Sequence, residues 1–459
     1  MKFHSLRRLY EDTPAALKHL VHCVPYAWLA GRHYRRAFEL CRKLDSMKRD
    51  EIRAFQEDEL GRLLQYAVSE VPFYYRYRGL VHRHAPFEAL KGFPLIQKSD
   101  VQDRFEQFTS RVAGSVPHHT ATTGGSTGNQ LTFLEDDSTY AKEMGFGHSQ
   151  WARVGYAPRF RKATFRGVTF RHVDDSHYWQ HNPIHNELQF SPFHMTEERL
   201  PAYLKRYIAY RPSFIHGYPS AVDILAEYVI RHDLERRLPP TRAAFLGSEA
   251  CSELQRERIE RAFGTRVYTW YGHSERVVMG GECTRSLCYH AIPAYGVLEI
   301  VDADGNSCDV GECGEIVGTG FLNRAMPLIR YRTDDSATRE VFTCACGRQW
   351  DRFSNVMGRW SSEGYLIGKS GARISAAALN MHGDLFKNVI RYQYYQRVPG
   401  KLVIRVIGNA LYSPEDAQAI VQQHSRKLWG EIDVDVVRVA DIPLTISGKQ
   451  RRIVSEVRF

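Results

Sequence analysis

Long apolar runs are missing from this 459-residue sequence, and none approaches the roughly 20 residues that a membrane-spanning helix needs. The first ten residues carry Lys2, Arg7 and Arg8 with no apolar stretch behind them. No secretory signal is therefore visible, and the cytoplasm is the predicted location. Internal repeats and low-complexity tracts are missing too. These absences favour a globular protein, for which 43% hydrophobic and 25% charged residues are ordinary values.

A disulfide framework is not expected either. The sequence has nine cysteines, an odd number, and in a cytosolic chain of this length they are better interpreted as thiols or metal ligands. Acidic charge is also in short supply, since the net charge is +10 and the pI about 9.1. A basic protein suits polyanions such as nucleotides, coenzyme A, nucleic acid or an acidic membrane face. No groove-reading motif is present, so nucleic acid is not a predicted partner.

The basic charge is concentrated near the beginning of the sequence, where residues 1–53 hold twelve Lys and Arg against six Asp and Glu. The segment Gly31–Arg53 is predicted to be a basic helix. Its charged face either meets solvent or makes a peripheral contact with a membrane surface.

Short apolar runs alternate with helical patterns in the middle of the chain. Strands are predicted at Ser213–Tyr218, Ala243–Leu246 and Val267–Tyr271, with helices at Pro219–His232 and Glu253–Phe263 between them. This alternation predicts an α/β fold with a largely parallel sheet, whose ligands gather at the carboxyl ends of the strands.

The pattern changes toward the C-terminus. A hairpin with an Asp304-Gly305 turn is predicted within Gly296–Phe321. After Arg359, the strands at Leu402–Ile407 and Ile432–Val436 and a helix beginning at Ser413 predict a small α+β unit of about 100 residues. A boundary near Gly358–Gly364 separates the predicted domains 1–357, whose first 80 residues are helical, and 358–459.

A loop rich in glycine and hydroxyl groups, Thr122–Gly128, lies between two predicted strands at 116–133. Such a loop can bind phosphate through free backbone N–H groups, although the same composition also occurs in plain connectors. A kinase-type phosphate loop is excluded because Asn129 and Gln130, not Lys and Ser/Thr, follow the last glycine. If this loop binds phosphates, the cation must come from elsewhere.

Three later segments could complete a nucleotide site. Tyr271–Glu275 offers a ring for a base and a carboxylate for Mg²⁺, and Tyr331–Asp335 ends in paired acids suited to ribose hydroxyls. Pro443–Arg452 carries Lys449 after a Ser-Gly tip, and its ammonium suits a reacting phosphate. Taken singly, these segments are also explained as a strand cap, an Asp-rich turn and a basic tail.

A second set of residues is suited to a metal. Cys344 and Cys346 form a tight pair, and Cys283 and His290 stand shortly after Glu275. Three cysteines and one histidine are an acceptable zinc set, although Cys-x-Cys is tighter than the usual finger spacing. Cys288 is a competing ligand, and ordinary reduced thiols are the alternative explanation.

In this order and across two domains, the four segments resemble the adenylate-forming enzymes, the acyl- and aryl-CoA synthetases and their relatives. The resemblance is closest to the phenylacetate–CoA ligase-like branch that includes capsule-biosynthesis adenylating proteins. It extends over nearly the whole chain and includes the N-terminal segments 63–74 and 94–98. It implies a large N-terminal adenylating domain of mixed sheets and helices, followed by a small mobile α+β lid.

The resemblance also implies a role for each matching residue. The glycine-rich loop would hold the β- and γ-phosphates, and its residues are Thr122, Thr123, Gly124, Gly125, Ser126, Thr127 and Gly128. The base and metal side would be formed by Gly247, Ser248, Glu249, Tyr271, Gly272, His273, Ser274 and Glu275, with Tyr271 stacked on adenine and Glu275 holding Mg²⁺. Asp335 would bind the ribose, Arg359 would contact ribose or phosphate, and Lys449 would reach the α-phosphate. Some members of the branch carry a zinc in the region of Cys283, His290, Cys344 and Cys346. His216 lies where the family contacts its acid.

Three departures from the family pattern stand out. Asp334 replaces the glycine that usually precedes the ribose aspartate, Ser361 and Ser362 occupy the usual place of a hinge acid, and Gly371 comes about two residues late. The resemblance therefore supports adenylation better than the thioester-forming rotation.

The predicted function is ATP- and Mg²⁺-dependent activation of a small carboxylic acid to an acyl-adenylate, followed by transfer to a thiol, with coenzyme A as the default acceptor. The alternative is a non-catalytic or CoA-independent relative that serves capsular polysaccharide biosynthesis.

Overall fold

The computed structural model describes residues 24–123, 131–167, 178–357, 365–375, 379, 381, 384–443 and 453–457. The α-helices in these ranges are α1 Tyr26–Leu29, α2 Gly31–Asp45, α3 Arg49–Glu70, α4 Arg78–Arg83, α5 Pro86–Lys91, α6 Lys98–Asp103, α7 Phe105–Phe108, α8 Thr139–Ala152, α9 Leu200–Tyr210, α10 Pro219–Arg231, α11 Glu253–Phe263 and α12 Pro414–Leu428. The strands are β1 His118–Thr122, β2 Thr132–Asp136, β3 Lys162–Phe165, β4 Trp179–Asn182, β5 Glu187–Phe190, β6 Phe214–Gly217, β7 Ala243–Leu246, β8 Val267–Gly272, β9 Met279–Glu282, β10 Tyr289–Ala291, β11 Gly296–Val301, β12 Cys313–Gly320, β13 Tyr331–Glu340, β14 Arg352–Met357, β15 Tyr365–Ile367, β16 Arg373–Ser375, β17 Val389–Gln396, β18 Lys401–Gly408, β19 Asp433–Arg438 and β20 Ile453–Ser455.

Two compact units divide the described residues. Unit 1 contains residues 24–121, 132–157 and 268–357, and unit 2 contains 122–123, 131, 158–167, 178–267 and the described residues from 365 onward. The boundary expected at residue 358 stays a prediction, as does the mobility of the C-terminal lid.

The basic N-terminal segment of unit 1 forms two helices where one was expected. Helix α2 ends at Asp45, and α3 begins at Arg49, where the Glu51 carboxylate accepts the Lys48 backbone N–H at 2.7 Å. Tyr34, Ala37, Cys41 and Leu44 on α2 are buried, so its apolar face is already packed within the unit. A contact of its basic face with a membrane remains a prediction.

The sheet of unit 1 is antiparallel throughout, with the strand order β11-β12-β13-β14-β10-β9-β8. The expected hairpin is present, since β11 pairs with β12 and Gly305 adopts a φ of +85° in the connection. Hairpins rather than helical crossovers connect most of these strands, which explains their antiparallel pairing.

Unit 2 contains the parallel sheet that the alternation predicted. Its order is β7-β6-β3-β5, with β4 added antiparallel at the edge. The helices predicted after β6 and β7 are α10 and α11, and both begin and end within one residue of the expected bounds. Tyr203 and Tyr207 on α9 are fully buried in the core of this unit.

The C-terminal part of unit 2 is the predicted α+β arrangement. Its sheet has the order β19-β18-β17-β20, and Ser413 is the N-cap of α12, where its hydroxyl accepts the Asp416 N–H. Among the helices of the described ranges, none combines the length and the apolar character that crossing a bilayer requires.

Candidate active site

A tyrosine and an aspartate meet in unit 1 at the end of β8. Tyr271 Oη donates to Asp335 Oδ2 at 2.9 Å, and both side chains are buried. Burial and the neighbouring carboxylate raise the pKa of Tyr271 well above its ordinary value, so the phenol keeps its proton. The sequence analysis predicted that Tyr271 stacks on adenine and that Asp335 binds the ribose. The fold brings these two residues into contact although they lie 64 positions apart in the chain.

A local irregularity of β13 places Asp335. Val317 faces Arg332 and Glu315 faces Ser336, so residues 333–335 of β13 lie opposite Ile316 alone. Within this bulge, Asp334 has a φ of +59° and an exposed side chain, whereas Asp335 is buried. The left-handed conformation explains why a glycine suits position 334, and aspartate is one of the few other residues that tolerate it.

Glu275 is the second buried carboxylate of unit 1. Its Oε1 accepts from Tyr331 Oη at 2.9 Å, and its Oε2 lies 3.2 Å from His273 Nδ1. Burial opposes its charge, but the His273 contact and the Lys98 ammonium outweigh burial and lower the pKa of Glu275 to about 2. The group is therefore a carboxylate at neutral pH, the oxygen ligand that Mg²⁺ prefers.

The sequence analysis had assigned no role to Tyr331 and Lys98. Tyr331 is fully buried at the start of β13, and the backbone of Ile96 pairs beside it through hydrogen bonds to Arg330 and Arg332. The N-terminal segment 94–98 thus contributes to the surroundings of Glu275. The sequence feature that could have indicated a role for Tyr331 was its position shortly before the paired acids Asp334 and Asp335.

Unit 2 contains other residues that the sequence analysis predicted to lie beside the phosphates or the base. Thr122 and Thr123 are buried, and Thr123 Oγ1 accepts the Leu131 N–H at 3.0 Å. The remainder of the loop, Gly124–Gly128, lies outside the described residues, as do Arg359, Ser361, Ser362 and Lys449.

The turn after β7 is held by β6 and α10. The Gly247 N–H donates to Gly217 O at 3.2 Å, and Glu249 Oε2 accepts the N–H of Ser220 in the first turn of α10 at 3.1 Å. Ser248, between them, is exposed and has a φ of +67°. The Glu249 carboxylate therefore lies at the N-terminus of α10, where negative charge is favoured.

Four metal-ligating side chains converge elsewhere in unit 1. The donor atoms of Cys283, His290, Cys344 and Cys346 all lie within 4.8 Å of one another. Tetrahedral zinc, with bonds of about 2.3 Å to sulfur and 2.0–2.1 Å to nitrogen, places neighbouring donors about 3.5–3.8 Å apart. The Cys283 and Cys344 sulfurs are 3.5 Å apart, and Cys346 Sγ lies 3.3 Å from His290 Nε2. The donor set fits zinc, and Cys288 is not part of it.

Two of the four donors, His290 and Cys283, have pKa values shifted toward their metal-binding forms, whereas burial and the adjacent thiols raise the pKa of Cys346 to about 12. Burial, together with the Arg352 charge, lowers the pKa of His290 to about 4, so its ring is neutral and able to coordinate. Burial alone would raise the pKa of Cys283, but N–H donation from Arg285 and the adjacent thiols lower it overall. A thiolate at Cys283 and a neutral imidazole are the forms that bind zinc.

The fold is that of the adenylate-forming ligases. A solved structure of 2-hydroxyisobutyryl-CoA ligase in complex with 2-HIB-AMP and CoA superposes with a TM-score of 0.55, at 17% identity, over 90% of this chain and 91% of that one. The same ligase in a postadenylation state gives a TM-score of 0.51 at 18% identity, over 90% and 92% of the two chains.

Relatives detectable by sequence fall in the branch that the motifs indicated. Protein CapK of Staphylococcus aureus is 22% identical over 370 residues, 80% of each chain. Phenylacetate-coenzyme A ligase of Thermus thermophilus is 25% identical over 350 residues, 69% of this chain and 72% of that one. No protein-family profile matches the chain. The resemblance to the phenylacetate–CoA ligase-like adenylate-forming proteins is thus confirmed by both sequence and fold.

Proposed function

We propose that the protein uses ATP to activate a carboxylic acid and then transfers the acyl group to a thiol, with coenzyme A as acceptor. The acid carboxylate attacks the α-phosphate of ATP, an acyl-adenylate forms, and pyrophosphate leaves. The thiol, losing its proton, then attacks the acyl carbonyl, and AMP leaves. The observation that carries this proposal is the Tyr271–Asp335 pair beside the ionised Glu275, within a fold shared with ligases of this class.

Each group has a chemical task in the first step. The Tyr271 ring offers a stacking face, and Asp335 retains acceptor capacity for ribose hydroxyls. Glu275 would hold Mg²⁺, which neutralises phosphate charge when bound. Thr122 and Thr123 lead into the loop proposed for the phosphates, and Lys449 is proposed to balance the charge that develops at the α-phosphate.

The cysteine–histidine cluster is proposed to hold a structural zinc. Its four protein donors fill a tetrahedral shell, so no position is left for a substrate. The zinc would tie the β9–β10 connection to the segment before β14. The cytoplasm remains the predicted location.

The test is acid-dependent exchange between ATP and pyrophosphate, measured over a panel of aryl and fatty acids. We expect Lys449→Ala to reduce exchange by about 10²–10³-fold, because one preorganised charge partner is lost. Lys401→Ala, an exposed lysine on β18, is the matched control and should keep the wild-type rate. Near-wild-type exchange in Lys449→Ala would defeat the assignment of that lysine.

The acceptor is tested separately from adenylation. With coenzyme A present, we expect AMP and acyl-CoA to form in equal amounts. Exchange without CoA-dependent AMP release would favour the CoA-independent alternative, in which an amine or hydroxyl takes the acyl group. ATP binding without exchange on any acid would favour the non-catalytic alternative.

A further inference from the structure

An arginine stands at the carboxyl end of the central strand of the parallel sheet in unit 2. Arg166 directly follows β3, which lies between β6 and β5. Strand β7 is next in the sheet, on the other side of β6. Phe165, Gly217 and Leu246 are aligned across these strands and end them at the same level. This edge is where parallel α/β sheets bind their ligands.

The Arg166 guanidinium is held by a hydroxyl, an imidazole and an aromatic ring, none of which is a carboxylate. Its Nη2 donates to Ser248 Oγ at 2.7 Å, its Nη1 lies 3.4 Å from His216 Nε2, and its Cζ lies 5.3 Å from the centre of the Tyr218 ring. Within the part of the chain that the structure describes, no ion pair within 4.0 Å includes Arg166. A half-buried cation oriented by three side chains without a carboxylate retains donors and charge for a ligand.

The backbone of Ser248 gives a second, independent indication. Its φ of +67° lies in the left-handed region, which serine adopts at a cost that glycine would avoid. Serine supplies the hydroxyl that accepts from Arg166, and glycine could not. Backbone strain of this kind is often found at binding sites, and here the strained residue orients a cation at a strand end.

Arg166 contacts one residue from each side of the predicted site: His216 was predicted to contact the acid, and Ser248 to border the base. His216 is the third residue of β6, and Ser248 lies in the turn after β7, so the arginine contacts both strand ends. The reacting carboxylate already has a proposed cation, Lys449. A purely apolar acyl group placed against the guanidinium would desolvate its charge without a partner, which is unfavourable.

We propose that Arg166 binds a second anionic group on the acid, so that the preferred substrate is a dicarboxylic acid rather than a monocarboxylic one. This inference rests on the proposed acid-activating function. Arg166 acts as a specificity determinant: it contacts the carboxylate that is not activated, and His216 and Ser248 position it. A fork of guanidinium donors suits a carboxylate through paired hydrogen bonds.

The test uses acids that differ only in the second carboxylate: phenylacetate against 4-carboxyphenylacetate, and hexanoate against adipate. In wild-type exchange assays we expect the dicarboxylic member of each pair to have the higher kcat/KM. Arg166→Gln should lower that value by about 100-fold for the dicarboxylic acid and change it little for the monocarboxylic one, because only the former loses its ion pair. Arg166→Lys should restore part of the loss. Arg242→Gln, an exposed arginine flanking β7, is the matched control.

Other outcomes overturn the proposal. An equal loss for both members of a pair would mean that Arg166 acts on the reacting carboxylate, and a raised KM for ATP alone would mean that it binds nucleotide. A wild-type preference for monocarboxylic acids also contradicts it. If no acid supports exchange, the proposed function fails, and calorimetric binding of 4-carboxyphenylacetate to wild type and Arg166→Gln still decides the role of Arg166: equal affinities, or no binding to either, overturn it. Thermal unfolding confirms that each variant is folded.

Discussion

Two neighbouring aspartates in β13 have opposite roles because of one backbone angle. At a φ of +59°, Asp334 directs its side chain to solvent, while its N–H donates to Glu315 Oε1 at 3.2 Å. Asp335 is thereby left to meet Tyr271. The two adjacent acids therefore lie in different environments, one exposed and one buried.

A matched pair of substitutions tests this interpretation of position 334. We expect Asp334→Ala to lower the free energy of unfolding by about 1 kcal/mol more than Asp334→Gly, because only glycine adopts the left-handed conformation without cost. Both variants remove the same carboxylate, so their difference isolates the backbone. Denaturant unfolding of the two proteins is the measurement.

The relative stability of the glycine and alanine variants should reverse at a strand position that lacks the left-handed backbone angle. Thr338, further along β13, is the control, and there glycine should be less stable than alanine. If Asp334→Gly were the less stable variant at position 334, the role assigned to the left-handed angle would be wrong.

At the scale of elements, strand pairing explains the metal cluster. His290 on β10 lies opposite Gly281 on β9 and Arg352 on β14, so three neighbouring strands bring the donors together. Cys283 follows β9 directly and Cys346 precedes β14. Cys283 and Cys288 lie in the same connection, with the Cys283 N–H donating to Cys288 O, and only Cys283 directs its sulfur into the cluster.

Metal analysis tests the proposed zinc. We expect one zinc per chain and a melting temperature that falls by on the order of 5 °C after chelation, because binding energy at a structural site contributes to folding. Cys344→Ser should lose the metal, whereas Cys288→Ser, in the β9–β10 connection but outside the cluster, should keep it. Full zinc content in Cys344→Ser would contradict the proposed ligand set.

The sequence predicted individual helices and strands more successfully than the pairing of strands and the contacts between distant residues. Helices α10, α11 and α12 and strands β6, β7 and β8 follow from local periodicity and caps such as Ser413. The β11–β12 hairpin also followed, but the pairing of β10 with β14 did not, because these strands lie far apart in the chain. For the same reason, the Arg166–Ser248 contact, which spans 82 positions, and the bulge opposite Ile316 required the structure.

At the scale of the whole molecule, one buried carboxylate connects two distant stretches of unit 2. Glu431, just before β19, is 5% exposed and accepts from Arg199 Nη1 at 2.5 Å and from Ser370 Oγ at 2.5 Å. Burial opposes its charge, but the Ser370 and Arg199 contacts lower the pKa of Glu431 overall. The C-terminal α+β part is thus held to the segment before α9 by a charge-assisted contact.

Removing the Glu431 carboxylate should destabilise the folded protein. We expect Glu431→Gln to lower the free energy of unfolding by about 2 kcal/mol, because Arg199 loses its charged partner. Asp435→Asn, an exposed acid on β19, should change it little. In the double variant with Arg199→Met the two losses should not add, and strict additivity in that cycle would show that the pair contributes nothing.

The bulge in β13 makes the candidate site sensitive to chain length as well as to the residue at position 334. Since the two faces of a strand alternate, deleting one residue among 333–335 would invert every later position of β13, turning the buried Ala337 outward and its half-exposed neighbours inward. A one-codon deletion there should therefore be as damaging as several simultaneous core substitutions. Among substitutions at position 334, glycine and asparagine should be tolerated best, because they adopt the left-handed conformation more readily than other residues.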